Sequence, residues 1–255
     1  ILMALSLSSC DDFLTVESDT GVTSLNYWKN ASDLDAANYG LYATFRYNIA
    51  NNSSVVYRDR GLPFDVLGIW TNPSNNDLSR GWTQTHGCIN WNNEYKIVNE
   101  ANLILDNIDR ADLTGEQNDF FRGQALGLRA YVYFYMLQNW GDLPLIVHAE
   151  DVGMKARTPW QEVAERCIVD LREAIALLPV ADELKDIEGN PITSKQAVSS
   201  GTCHAILAHL YAWKAALNKE PDLLKLAILE CDSVIADKSY ALANTIHEVC
   251  ASVIP

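Results

Sequence analysis

Basic residues are scarce in this chain and nowhere clustered: 19 Lys and Arg stand against 33 Asp and Glu, a net charge of −14 over 255 residues. Nucleic-acid binding draws its affinity from neutralised phosphates, so this balance excludes nucleic acid as a partner. Long apolar runs are missing too. None reaches the roughly 18 residues that a bilayer span needs, so membrane attachment is expected only through an anchor. The six cysteines, Cys10, Cys88, Cys167, Cys203, Cys231 and Cys250, include no close pair of the kind that zinc sites and redox motifs use. Cys167, Cys203 and Cys231 fall on apolar helix faces, where a small buried thiol is expected. A disulfide among them stays open at this level.

Enzyme signatures are absent as well. The chain has no GxSxG, no HExxH, no GxxxxGK[ST] and no GxGxxG after a strand. Its five histidines, His86, His148, His204, His209 and His247, are scattered. His204 and His209 lie five apart, off the i, i+4 spacing that puts two ligands on one helix face. Carboxylate pairs such as Asp11/Asp12 and Glu162/Glu165 sit in a tether or on a helix's polar face. No catalytic residue, metal or cofactor is assigned. Alternating strand patterns are missing apart from a short LPLIV run over 143–147, which leaves helices to carry the fold.

What is present is helical period. With 48% hydrophobic and 20% charged residues, the chain can bury a core. Leu34, Ala37, Leu41 and Phe45 predict a first helix over 32–47 with Ser32 or Asp33 as N-cap. Val98, Ala101, Leu105 and Ile108 predict a second over 91–108. The central helix carries Phe121, Ala125, Leu128, Val132 and Tyr135 on one face, with Arg122, Gln124 and Arg129 pointing elsewhere. A Thr114/Gln117 capping box opens it, and the Gly141, Asp142, Pro144 cluster closes it. Thr158, Pro159 and Gln161 predict the next start, with Thr158 as N-cap, and Ala164, Ile168, Leu171, Ile175 and Leu178 run on to Pro179. After a polar loop over 180–193, a fifth helix is expected from near Ser194, with small residues Gly201, Ala205, Ala208 and Ala212 allowing close approach. A sixth spans 222–237, with Leu224, Ala227, Cys231 and Val234. Leu207, Ala208 and Tyr211 with Ala227, Cys231 and Val234 fit a degenerate tetratricopeptide hairpin. The predicted fold is all-α, with tetratricopeptide-like hairpins and long irregular loops.

Several segments resemble one family in sequence order. LRAYVYFYMLQNWGDLPL, over 128–145, is similar to the L-R-A-x-x-Y-F-x-L-x-x-x-(Y/W)-G-D-x-P-L segment of SusD/RagB proteins, the surface nutrient-binding lipoproteins of Bacteroidetes. WNNEYKIVNEANLILDNI (91–108) and ARTPWQEVAERCIVDLREAIALLP (156–179) resemble two further segments of that family, and CDDFLTVES, from Cys10, resembles its mature start. The resemblance covers most of the chain from Cys10 to about Leu242. It implies a non-catalytic outer-membrane lipoprotein at the cell surface that binds oligosaccharide and delivers it to a SusC-type TonB-dependent transporter. Family members are about twice this long, so it also implies that a C-terminal lobe is missing here. Trp91, Tyr95 and Asn102 are read as packing and loop-holding residues, with the Asn102 amide bonding a neighbouring loop.

LSSC, over 7–10, resembles a bacterial lipobox, which makes Cys10 the expected lipid attachment site. Residues 1–9 then form the end of a lipoprotein signal peptide, 10–31 a lipidated tether and extended segment, and 32–255 the N-terminal part of a SusD-like helical domain. The ligand chemistry is expected in the turn-rich stretch 48–90. A sugar offers flat C–H faces and a ring of hydroxyls, so its site needs aromatic platforms and planar hydrogen-bonding side chains. Tyr57, Trp70 and Trp82 supply the first, and Arg58, Asn72 and Asp77, with Asp59, Arg60, Asn75, Asn76 and Arg80, the second. Whether Trp70 and Trp82 face ligand or core is open from sequence. The alternative function is a helical-repeat interaction scaffold or a peptide-binding family member.

Overall fold

A computed structural model describes residues 26–50, 91–151, 153–242 and 244–245. Among them are six α-helices: α1 (Ala31–Ala50), α2 (Asn92–Asn107), α3 (Gly115–Trp140), α4 (Trp160–Leu177), α5 (Ser200–Asn218) and α6 (Asp222–Ala236). Strand pairing among these residues is limited to isolated bridges, so the all-α expectation holds. The most extensive packing joins α3 to α4 and α5 to α6, two successive hairpins, with α4 on α5 between them and α1 and α2 against the other side of α3.

The helix starts show which signals the chain uses. At α3 the capping box forms as expected: Thr114 Oγ1 accepts from the Gln117 amide at 3.2 Å and Gln117 Oε1 accepts from the Thr114 amide at 3.0 Å. At α1 the cap is Asn30 rather than Ser32 or Asp33. Its Oδ1 accepts from the Asp33 amide at 3.1 Å, while Asp33 Oδ2 reaches back to the Lys29 amide at 2.8 Å. At α4 Thr158 is not the cap, because its backbone pairs with Leu143 in both directions. Pro159 takes the capping position without a side-chain bond, and the Asp142 carboxylate, eighteen residues upstream, accepts from the Trp160 amide at 2.8 Å. The fifth helix starts at Ser200, six residues later than expected, with Ser199 as its cap.

The central helix departs most from its reading as one apolar face. Gln124 and Arg129 are buried with the rest, and fifteen of its residues are inaccessible. It is covered all round by α1, α2, α4 and the start of α5. Such crowding explains Gly123 and Gly127. A Cβ at Gly123 would stand 2.4 Å from Leu178 Cγ, and one at Gly127 would stand 2.6 Å from Val198 Cγ1. Cys167 and Cys203 are buried free thiols as expected, but Cys231 is exposed, because the face of α6 that carries it is turned away from α5. The 180–193 loop is less irregular than expected, with a 3-10 turn (Ala181–Glu183), a buried Leu184 and a tight reversal through Gly189 at φ 87°.

Overpacking a core position costs roughly 1–3 kcal/mol, against up to about 1 kcal/mol that Ala gains over Gly in a helix. Gly123→Ala and Gly127→Ala are therefore each expected to lower stability by about 1–2 kcal/mol in urea unfolding. Gly115→Ala, where an added methyl meets nothing within 4 Å, is expected to be neutral or stabilising.

Candidate functional site

Tyr57, Arg58, Trp70, Asn72, Asp77 and Trp82 lie outside the described residues, as does Cys10. The structure does position the two roots of the 51–90 segment. Tyr42 on α1 donates to Gln124 on α3, and further along Phe45 meets Tyr131 edge-on at 5.7 Å, so α1 runs parallel to α3. Trp91 meets Trp140 at 6.2 Å and Tyr95 meets Tyr133 at 6.2 Å, so α2 runs antiparallel. The C-terminal end of α1 and the N-terminal end of α2 therefore both lie at the Trp140 end of the bundle. At that end Trp91 is half-buried, with Tyr95 edge-on at 6.3 Å and the exposed Arg157 guanidinium 4.9 Å over its ring. Tyr135 closes the cluster, 6.3 Å from Trp140. This aromatic edge is the frame from which the candidate ligand segment departs.

Beneath it runs the crossing segment from Gly141 to Thr158, which carries chain from α3 to α4. It forms no continuous strand, so side chains satisfy its backbone. Gly141 ends α3 at φ 69°, and the Leu143–Thr158 bridge ties the segment's two ends together. Tyr95 Oη donates to the Pro144 carbonyl at 2.5 Å. Tyr133 Oη both donates to the Ile146 carbonyl, at 2.9 Å, and accepts from the Ile146 amide, at 2.8 Å. Asn102 Nδ2 adds a second bond to that carbonyl at 3.2 Å, so Tyr95 and Asn102 are loop-holding residues as expected. Burial pushes the Tyr95 and Tyr133 phenols well above the usual tyrosine range, which keeps both as neutral donors.

One buried ion pair organises these partners. Arg129 grips Asp170 of α4 in a fork, Nε to Oδ2 at 2.8 Å and Nη2 to Oδ1 at 2.9 Å, with both side chains no more than 2% exposed. Its remaining Nη1 donates to Asn102 Oδ1 at 2.8 Å and to the Val147 carbonyl at 3.3 Å. Arg166 adds a second cation at 2.5 Å from Asp170. The guanidinium thus joins α2, α3, α4 and the crossing segment at one point. Another buried polar side chain does similar work at the start of α5. The Gln124 amide pairs with the Val198 backbone, donating to its carbonyl at 2.7 Å and accepting from its amide at 3.0 Å.

An open cleft of about 910 Å³ lies at the opposite end of α3. At 1.5 Å per residue, 26 residues place it roughly 39 Å from the aromatic edge. Its walls are Thr114 to Phe120, Leu177 to Pro179 and Asp182 to Gly189, and they are rich in carboxylates. Several of these are engaged by the fold. Asp182 pairs with Lys195, and Asp186 accepts from the backbone amides of Glu188 at 3.0 Å and Asn190 at 2.8 Å. Those bonds hold the Asp186 carboxyl below its ordinary range. Among the described residues no group of three His, Cys, Asp or Glu is arranged to hold a metal, and no helix is long and apolar enough to cross a membrane.

A SusD-like family profile, described as starch-binding associating with outer membrane, matches residues 12–211, most of the chain. The chain belongs to this family. Two SusD-like proteins of Formosa agariphila are 28% identical over 68% of the chain and 22% identical over 98% of it. These matches span 35% and 47% of those relatives, so the chain covers less than half the length of either. In fold it is similar to Bacteroides fragilis NanU, with a TM-score of 0.74 at 20% identity over 91% of this chain and 47% of that one. A SusD superfamily protein of Bacteroides thetaiotaomicron gives 0.68 at 21% identity, over 85% and 50%.

Arg129 and Asp170 were missed in the sequence as an ion pair, although both stood in view: each is a charge set among apolar neighbours, in LRAY and VDLR. Removing one partner of a buried pair typically costs about 3–5 kcal/mol, whereas pairs in contact with solvent are worth roughly 0–1 kcal/mol. Asp170→Asn is therefore expected to destabilise by about 3 kcal/mol or more in guanidinium unfolding. Glu173→Gln, which breaks the Arg122 pair at 36% exposure on each side, is expected to cost under about 1 kcal/mol.

Proposed function

We propose that this protein is a non-catalytic, cell-surface binder of oligosaccharide that passes its ligand to a SusC-type TonB-dependent transporter. The observation that carries the reading is the family assignment over residues 12–211, with its description as starch-binding and outer-membrane associated. All six candidate contacts, Tyr57, Arg58, Trp70, Asn72, Asp77 and Trp82, fall inside that span. The rigid aromatic edge supports the reading physically. Binding a flexible, strongly hydrated glycan loses affinity to every loop that must be ordered, so a ligand segment rooted at both ends in packed helix is an advantage. In this reading residues 10–31 form a tether and extended segment that lead into the helices, and Cys10 carries the acyl chains that anchor the protein to the outer membrane.

Affinity electrophoresis against soluble starch, pullulan, mannan and xylan tests it. Retardation is expected in at least one of these gels, with a Trp70→Ala, Trp82→Ala double variant losing about tenfold or more of the affinity at an unchanged unfolding midpoint. Product release from any of these polymers would contradict the non-catalytic reading. Unaltered retardation of the double variant would remove those two rings from the site, and absence of retardation in every gel would favour the interaction-scaffold alternative. In cells, Cys10→Ala is expected to shift the protein from the membrane to the soluble fraction.

A further inference from the structure

Seven arginines lie among the described residues, and five of them have an acceptor. Arg110 bonds Asn107, Arg122 bonds Glu173, Arg129 and Arg166 share Asp170, and Arg172 bonds the Tyr211 hydroxyl. Arg46 and Arg157, both exposed, meet neither a carboxylate nor any other hydrogen-bond acceptor among the described residues. Carboxylates to pair with are not scarce, since the chain has 33 Asp and Glu. Both of these arginines stand at the Trp140 end of the bundle, Arg46 near the end of α1 and Arg157 over Trp91 at the start of α2. Each has an aromatic neighbour there, for Tyr47, next to Arg46, is 68% exposed. Unneutralised positive charge is thus placed where residues 51–90 depart.

The Arg157 group is the better defined. Its guanidinium carbon is 4.9 Å from the centre of the Trp91 ring, and that ring is held edge-on by Tyr95 and Trp140. The ring face attracts the cation but leaves its N–H donors without a conventional acceptor. Two acids of the crossing segment are engaged elsewhere, Asp142 with the Trp160 amide and Asp151 with Lys155. A fork of guanidinium donors matches a carboxylate in two parallel bonds, and an indole beside it matches the C–H face of a sugar. A sugar acid offers both in one residue. The sequence of the departing segment agrees. Residues 51–90 hold Arg58, Arg60 and Arg80 against Asp59, Asp65 and Asp77, with no Lys and no Glu, so the stretch is neutral in a chain of net charge −14. All of its fixed cations are arginine.

We propose that Arg157 over Trp91 is a carboxylate subsite and that the ligand of this protein is an oligosaccharide bearing a uronic acid. This inference rests on the glycan reading and narrows it. Calorimetry at low ionic strength tests it with the full chain and three probes: oligogalacturonate, oligomannuronate and a glucuronic acid-substituted xylo-oligosaccharide, each paired with its carboxyl-reduced counterpart. In at least one pair the acid is expected to bind about tenfold or more tightly than the reduced sugar, by a margin that shrinks as salt is raised. Arg157→Gln is expected to abolish that margin while leaving both the affinity for the reduced sugar and the unfolding midpoint unchanged. Arg157→Lys is expected to restore only part of it, because an ammonium lacks the planar fork. Equal binding within every pair, or a margin that survives Arg157→Gln, overturns the carboxylate subsite and leaves the glycan reading in place. Absence of binding to acid and reduced forms alike also overturns the subsite, and the glycan reading then stands or falls on the neutral-polymer gels.

Discussion

A guanidinium deprived of water is the constraint on which the described structure depends. Arg129 sits in the middle of the longest helix with almost no solvent contact, and a charge so placed is tolerated only if its donors are satisfied. Four of its bonds do this, to two carboxylate oxygens, an amide oxygen and a backbone carbonyl, and these come from three different elements. Satisfying the charge therefore fixes the relative positions of α2, α3, α4 and the crossing segment. Hydrophobic contact alone is less selective, because the attraction it supplies has no direction. A forked ion pair has one geometry.

The rest of that joint follows from it. A crossing segment without strand partners would leave buried carbonyls and amides unpaired, and each of those costs more than a typical hydrogen bond returns. Tyr95, Asn102 and Tyr133 supply the missing partners from the helices, while Asp142 in turn caps α4. The segment and the helices thus hold each other in place. Trp91, Trp140 and Arg157 extend this rigid joint to the surface at the end where residues 51–90 depart. The residues proposed to bind ligand belong to that departing segment and its Trp91 root, and the acidic cleft at the other end of α3 is partly consumed by its own turns.

The helices were legible in the sequence because their apolar residues recur at three and four, and the α3 capping box because both of its members are local. The errors have one physical cause, which is that their determinants lie far away in the chain. Thr158 looks like an N-cap until Leu143 is seen to occupy its backbone, and the cap arrives instead from Asp142. Gln124 and Arg129 look like the outer face of an amphipathic helix because periodicity cannot distinguish a solvated polar residue from one paired across the core. Asn102 was recognisable as a loop-holding residue, since an Asn inside a helix gives up propensity for some other bond. Cys231 followed the apolar period into an expected burial, but the second apolar face of α6 has no cover among the described residues. The candidate ligand contacts within 51–90 and the proposed lipid attachment at Cys10 rest on composition and resemblance, for their positions lie outside what the structure describes.

Native-state hydrogen exchange at the amides of Leu143 and Ile146 tests the central claim most directly. If the buried guanidinium and its partners weld the crossing segment to three helices, these amides exchange only when the whole domain unfolds, with the same free energy and denaturant dependence as amides in the middle of α3. Exchange at much lower free energy, through a local opening that leaves α3 protected, would show that the segment is only laid against the helices and that the joint does not organise the fold.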